Sequence, residues 1–355
     1  MAGDRSARLV RRLWRRRSWR ARAARAVLLP FSGLYTGVVA LRAAAYRAGV
    51  ARARPLPLPA IAVGNLSVGG TGKTPLAAWI AAYCVRAGRR PGILLRGYGR
   101  DEVLVHERLV PEAIVVANRD RQAGGAAAQA RGADVLVLDD AFQLLAVRPD
   151  LNIAVLAAEQ ERLARWTLPA GPWREPRQAL GRADILVVTR KRAEAESAEA
   201  LAERLTARWP AATVVRARLA VRDLVGMRSG ARVSLAGLQG QQVHAAAAIA
   251  DPESFAVQIR SSGATVQLAA YQDHHEYDAA DVQRLVRLAA TAGYLVVTEK
   301  DAVKLRALWP AEGPEPFVAE LEWVWERNEG AVVAALNRVL AVPAHPQREI
   351  TNRNP

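Results

Sequence analysis

Between Ile61 and Tyr83 the chain reads IAVGNLSVGGTGKTPLAAWIAAY: an apolar strand, a glycine-rich turn, then the start of a helix. Gly69, Gly70 and Gly72 let the backbone curl until several N–H groups point inward, with Ser67, Val68 and Thr71 filling the rest of the turn. Bare amides and the positive end of a helix form a cradle for phosphate. Lys73 is placed to reach the outer phosphates, and Thr74 to ligate Mg²⁺. The usual spacing is G-x-x-x-x-G-K-[ST], and its first position here is Ser67, so the strict pattern departs at one place. An ordinary glycine turn between strand and helix is the bland alternative. The strand before, the helix after and the intact Gly-Lys-Thr favour a nucleotide site.

The segments around this unit extend the same theme. Pro91–Leu95, Asp134–Leu138, Leu151–Leu156 and Ile185–Thr189 are short apolar strands, and Ala123–Arg131 and Ala193–Arg208 are helical. Such alternation predicts a parallel sheet covered on both faces, with ligands at the carboxyl ends of the strands. Arg54–Pro59, with a proline at every second position, is an extended linker. Pro210 marks a boundary. Beyond it Val233–Ala236, Pro252–Arg260, Thr265–Leu268, Ala279–Ala292, Tyr294–Thr298 and Gly330–Leu340 supply further α/β units. The expected fold is α/β: a P-loop NTPase-like parallel sheet flanked by helices, a smaller second α/β domain and an N-terminal membrane-associated helix. The divisions are a basic arm (1–54), a core domain (55–210), a second domain (211–343) and a disordered polar tail (344–355). A chain of 355 residues is long enough for two such cores.

Charge is concentrated at one end. Residues 1–54 hold fourteen arginines against the single acid Asp4, which accounts for most of the formal +16. Trp14 and Trp19 are interleaved with the arginines, and an uncharged run follows from Ala26 to Leu41. That run is shorter than the roughly 20 residues that span a bilayer. A helix lying in the interface, with arginines on anionic head groups, fits it best. A helix packed on its own protein and a nucleic-acid arm are the alternatives. Cys84 is the only cysteine, which excludes a disulfide framework and fits a reducing compartment.

Four groups could carry chemistry. Asp139 and Asp140 follow an apolar strand, where a phosphate-loop enzyme keeps the carboxylates that hold Mg²⁺; a turn or helix cap is the other reading. Asp101 ends the loop after the second strand, and Asp273-His274-His275-Glu276 is the one histidine cluster. An Asp–His pair orienting a general base suits phosphoryl transfer, while solvated loops would explain the same residues. The proline-rich segment Leu168–Pro176 carries Arg174 and Glu175; a guanidinium fork there suits a substrate phosphate, and a plain linker is equally open.

These pieces together resemble the tetraacyldisaccharide 4'-kinases, the lipid A 4'-kinases of Gram-negative bacteria. The matching stretches are VGNLSVGGTGKTP (Val63–Pro75), RGYG (Arg96–Gly99), LDDAFQ (Leu138–Gln143), LPAGPWREP (Leu168–Pro176), DHHEY (Asp273–Tyr277) and TEKDAVK (Thr298–Lys304). They stand in the family's order across residues 60–305. The resemblance implies transfer of the ATP γ-phosphoryl, with Mg²⁺, to the 4'-hydroxyl of a lipid disaccharide 1-phosphate, giving lipid IVA at the cytoplasmic face of the inner membrane. It implies that Ser67 to Thr74 hold the nucleotide phosphates, and that Thr74, Asp139 and Asp140 hold the metal. Asp101 and His274, with Lys73, would be the catalytic groups, and Arg174 and Glu175 would contact substrate. Glu299 and Asp301 match without an assigned role.

The chain departs from the family's pattern at Ala141 (usually glycine), at Leu144 (usually polar) and at Ala250-Asp251-Pro252 (usually Gly-Asn-Pro). The segment between Arg96 and Asp101 is also shorter than usual. The expected partners are the lipid disaccharide and the anionic membrane surface, with monotopic or peripheral attachment; no nucleic acid is expected and no protein partner is inferred. A membrane-associated P-loop regulatory NTPase without a sugar acceptor is the rival reading.

Overall fold

The computed structural model describes residue 14 and residues 18–97, 100–162, 165–291 and 293–342. Tyr98 and Gly99 of the RGYG motif, most of the basic run before residue 18 and the polar tail lie outside the described residues. The chain begins with α1 (Trp19–Arg47), β1 (Ala60–Gly64), α2 (Lys73–Arg86), β2 (Pro91–Leu95), α3 (Arg100–Leu109), β3 (Ile114–Ala117), α4 (Arg121–Ala130) and β4 (Val135–Leu138). It continues through β5 (Leu151–Ala157), β6 (Ile185–Arg190), α5 (Ala195–Arg208) and β7 (Thr213–Gly226). The last stretch holds β8 (Gln242–Ala247), α6 (Pro252–Arg260), β9 (Thr265–Ala270), α7 (Ala279–Thr291), β10 (Tyr294–Thr298), α8 (Glu299–Leu305), β11 (Phe317–Arg327) and α9 (Glu329–Leu340).

One sheet carries all of these strands, in the order β9-β8-β10-β11-β7-β6-β5-β1-β4-β2-β3, with the short strand Arg232–Ser234 beside β7. Neighbours are parallel except where β7 meets β11 and Arg232–Ser234. The mostly parallel sheet is the expected one, and the unbroken apolar runs are why: β1, β2 and β4 are buried at every position, as strands covered on both faces must be. On α2 the buried Leu76, Ala77, Ile80, Ala81 and Cys84 follow a helical repeat and face the sheet. Burying a side chain such as Ile80 contributes about 1.5–3 kcal/mol. Burial pushes the Cys84 thiol up to about 12, so it is packing rather than a reactive group.

The long antiparallel ribbon β7–β11 was not anticipated from the sequence, and it sets the geometry of the whole molecule. β6 pairs with the first part of β7, up to Arg190 beside Arg218. β10 pairs with the first residues of β11, which lie beside Leu224 to Gly226 at the far end of β7. Because β11 runs opposite to β7, the carboxyl ends of the two parallel half-sheets point toward each other along the ribbon. Five residues of β7 lie between Arg218 and Leu224, roughly 20 Å of strand. The crevice between those ends is where a parallel sheet binds ligands, here supplied from both sides.

Two further differences bear on the site. Asp101 belongs to the first turn of α3 rather than to a loop. The unit expected at Val233–Ala236 is a strand to Ser234 and then a single 3₁₀ turn. We keep the division near residue 210 as a proposal. Within it the chain returns to its start, since Val332, Leu336 and Val339 of α9 pack into the cluster built on β1 and α2.

Candidate active site

The phosphate loop closes on itself as its sequence requires. Gly72 has φ +97, a left-handed conformation that only glycine adopts freely, and it caps α2 so that Lys73 and Thr74 open the helix. Gly64 has no room for a side chain, since an added Cβ would lie 2.5 Å from the backbone nitrogen of Phe142. Ser67, at the position usually glycine, does not need a left-handed backbone. Its hydroxyl instead donates to Gln160 Oε1 at 2.5 Å. Asn65 braces the loop from inside, its Nδ2 donating to Ser67 O at 2.8 Å and Thr71 Oγ1 at 3.0 Å. Thr189 Oγ1 donates to Thr71 O at 2.8 Å and Lys191 Nζ to Gly70 O at 3.0 Å, so the end of β6 also holds the loop. Burial pushes the Lys191 ammonium down.

The proline-rich segment lies directly on that loop. Val68 N donates to Pro172 O at 2.8 Å and Arg174 N to Leu66 O at 2.6 Å. Arg174 Nη1 reaches both carboxylate oxygens of Asp140, at 3.1 and 3.0 Å, and Lys73 Nζ stands 3.5 Å from the same group. Asp140 has φ +53, a conformation its short polar side chain tolerates. Glu175 is turned inward, its carboxylate 2.5 Å from Arg182 Nη2.

β1 and β4 are adjacent strands, which brings Asp139 beside the loop. Its Oδ2 pairs with His106 Nε2 at 3.0 Å, and both side chains are buried, at 4% and 0% exposure. Burial opposes ionisation of Asp139, yet the His106 hydrogen bond and the nearby positive charges keep its carboxyl below the usual range. Asp139 Oδ1 is buried without a hydrogen-bond partner among the described residues. An orphaned carboxylate oxygen beside a phosphate cradle suits a divalent cation. No group of three or more acidic, histidine or cysteine side chains gathers among the described residues, so phosphate oxygens and water would complete such a site.

Asp101 and His274, 173 positions apart, meet across the crevice: His274 Nδ1 lies 3.0 Å from Asp101 Oδ2. The carboxylate is buried at 7% exposure and the imidazole is half open at 51%. The hydrogen bond with His274 holds Asp101 well below the usual carboxylate range, and the same bond raises His274. His274 has φ +61, and its N–H donates to Ala248 O at 3.1 Å. An added Cβ at Gly70 would lie 3.8 Å from Ala250, two residues beyond the Ala248 carbonyl that holds the His274 N–H, so the phosphate loop and the Asp–His pair open on one crevice; Lys300 acts on charges on both sides of it.

The basic-apolar segment forms the 29-residue helix α1, longer than the uncharged run because turns on either side join it. By length and composition alone it could cross a bilayer. One face is docked: Ser32 Oγ donates to Thr167 O at 3.0 Å, Thr36 Oγ1 lies 2.7 Å from Thr167 Oγ1, and Tyr35 OH donates to Arg174 O at 2.9 Å. Trp14 Nε1 donates to Pro169 O at 2.9 Å. The opposite face exposes Val27, Phe31, Leu34, Val38 and Leu41, an apolar stripe at helical spacing.

The structure therefore brings together Ser67 to Thr74, Asp139, Asp140 and Arg174, and joins Asp101 to His274. The sequence reading missed His106, Arg121, Lys191 and Lys304. Arg121 is buried, and its Nη2 donates to Asp139 O at 3.4 Å. His106 was open to detection, since it falls on the inward side of a helix with Val105. Lys191 carries no local pattern that marks it.

The sequence profile of the family described as "Tetraacyldisaccharide-1-P 4'-kinase" matches residues 24–107 and 100–341. The tetraacyldisaccharide 4'-kinase of Pelobacter propionicus is 35% identical over 87% of this chain and 91% of its own length. That of Geobacter metallireducens is 38% identical over 79% of this chain and 88% of its own. Among solved structures, LpxK from Aquifex aeolicus in complex with ATP is similar with a TM-score of 0.69 and 26% identity, covering 89% of this chain and 99% of that one.

Proposed function

The chain belongs to the tetraacyldisaccharide-1-P 4'-kinase family, and on that premise we propose that it transfers the γ-phosphoryl of ATP to the 4'-hydroxyl of a lipid A disaccharide 1-phosphate precursor, giving lipid IVA. The observation that carries this reading is the Asp101–His274 pair on the crevice that also holds the phosphate loop. Phosphoryl transfer needs positioning and charge neutralisation more than covalent help. The loop amides from Ser67 to Thr74 hold the nucleotide phosphates, and Lys73 neutralises the outer ones. With its Nδ1 proton directed at Asp101, His274 presents Nε2 to accept the proton of the sugar hydroxyl. Arg174, paired with Asp140 beside Lys73, contacts the substrate at the reacting end, and Glu175 braces the loop that carries it. Thr74 and Asp139, with Asp140 beside them, are the residues to hold Mg²⁺, which when bound offsets negative charge on the transferring phosphates.

The substrate's acyl chains stay in the leaflet, so the enzyme must work at the membrane surface. We place it on the cytoplasmic face of the bacterial inner membrane. The exposed apolar stripe of α1 enters the interface, and the docked face ties α1 to the Arg174 loop. The test is incubation of the full chain with labelled ATP and disaccharide 1-phosphate in anionic vesicles. A doubly phosphorylated glycolipid is expected, and Lys73→Ala should abolish it while leaving the protein folded. ATP turnover that the disaccharide does not stimulate, with no labelled lipid, would select the regulatory NTPase instead.

A further inference from the structure

The TEKDAVK stretch has no part in the chemistry above, yet three of its side chains reach the elements that carry Asp101 and His274. Glu299 pairs with Arg108 of α3 at 2.5 Å. Asp301, buried, accepts from Ala248 N at 3.0 Å and from Tyr277 OH at 2.9 Å, and Ala248 O in turn holds the His274 N–H. Lys304 makes the most direct connection. Its Nζ lies 3.7 Å from Asp101 Oδ2, the oxygen that faces His274, and donates to His275 O at 3.0 Å and Glu276 Oε1 at 3.2 Å. Lys304 and Asp101 are both nearly closed to solvent. One ammonium therefore spans α3, α8 and the loop bearing His274.

We propose that Lys304 is a positioning residue for the Asp101–His274 pair: its ammonium holds the shared carboxylate oxygen and clamps the histidine loop to α8. The proposal rests on the kinase reading for its effect on rate, and on geometry alone for its effect on the imidazole. The charged and titratable groups facing the pair are Asp101 and Glu102 from α3, Asp273 from the loop, and Lys300 and Lys304 from α8. Removing a positive charge from this set strengthens Asp101 as the partner of a protonated imidazole, so His274 should bind its proton more tightly.

The experiment is an NMR titration of the imidazoles in the full chain, with His274→Gln identifying the resonance. Lys304→Met should raise the His274 pKa by about 0.5–1 unit, and Lys304→Arg should return it most of the way. The acid limb of the kcat profile should move up with it, lowering kcat near pH 7 by roughly three- to tenfold with the KM for ATP within about twofold. Should Lys304→Met fail to fold, Lys304→Gln removes the charge while keeping a donor for His275 O. An unchanged His274 pKa overturns the proposal, because a lysine that does not hold the shared oxygen would leave the titration where it was. Wild-type protein that transfers nothing to the disaccharide would instead overturn the kinase reading, and the titration would still decide the role of Lys304.

Discussion

Helix α3 takes part in two carboxylate–histidine pairs, giving Asp101 to one and His106 to the other. Both pairs are 3.0 Å long. In the first the histidine is half exposed on the crevice, and in the second neither partner meets solvent. An imidazole with one nitrogen bound and the other reachable can pass a proton to or from a ligand. His106 Nδ1, by contrast, is buried with no hydrogen-bond partner among the described residues, so the ring presents no exposed nitrogen to a ligand. The sealed pair can only hold Asp139 ionised and in place. Exposure of one ring nitrogen, rather than the pairing itself, separates a candidate base from a brace.

That contrast breaks most sharply at the open pair. His274→Gln, which keeps the side chain polar and near its size, should lower phosphoryl transfer by about 10²- to 10⁴-fold with little change in melting temperature. Asp101→Asn should fall in the same range, since it leaves His274 without the carboxylate that orients its ring. Steady-state rates and thermal melts on the same preparations check both. A loss of rate below tenfold for His274→Gln would place the base elsewhere.

At the sealed pair the ranking reverses. His106→Leu leaves a buried carboxylate without its partner, which costs about 3–5 kcal/mol in comparable cases. Chemical denaturation should show that loss, and the double variant His106→Leu/Asp139→Asn should recover part of it because the stranded charge is gone. The double variant would stay inactive, which separates stability from catalysis at one site. A His106→Leu protein as stable as wild type would show that water or a bound cation already satisfies Asp139.

The same contrast explains what could be read from the chain beforehand. The phosphate loop was legible because its strand, glycines and Lys-Thr are contiguous, and Asp139 because it ends an apolar run. Asp101 and His274 were identifiable as residue types, and the resemblance joined them, but nothing local reveals contact between positions 173 apart. His106 escapes a reading that puts Asp101 at the end of a loop and stops there, although Val105 and His106 lie buried on the helix that Asp101 opens. The β7–β11 ribbon was missed although Thr213–Gly226 alternates buried and more open positions along much of its length. Its importance lies in pairing over long range, which joins two half-sheets and which no local window encodes.

The finest difference between the pairs lies in how each ties stability to pH. Asp139 is held below its unfolded value, so its share of stability is present above about pH 4 and lost as pH falls through the lowered folded value. The deficit of His106→Leu should therefore be widest near neutrality and narrow in acid. His274 is raised, so its share is complete below about pH 6.5 and disappears as pH rises through the raised value, while lowered Asp101 sets the acid limit. Wild type should thus melt slightly above His274→Gln at pH 5–6 and together with it in mild alkali. The gap is small because half the imidazole is in water, where the alternative of solvation is always at hand. Parallel melting curves for the two proteins from pH 5 to 9 would mean that the Asp101–His274 bond contributes nothing specific to the charged imidazole, and the open pair would then resemble the sealed one in function as well as in form.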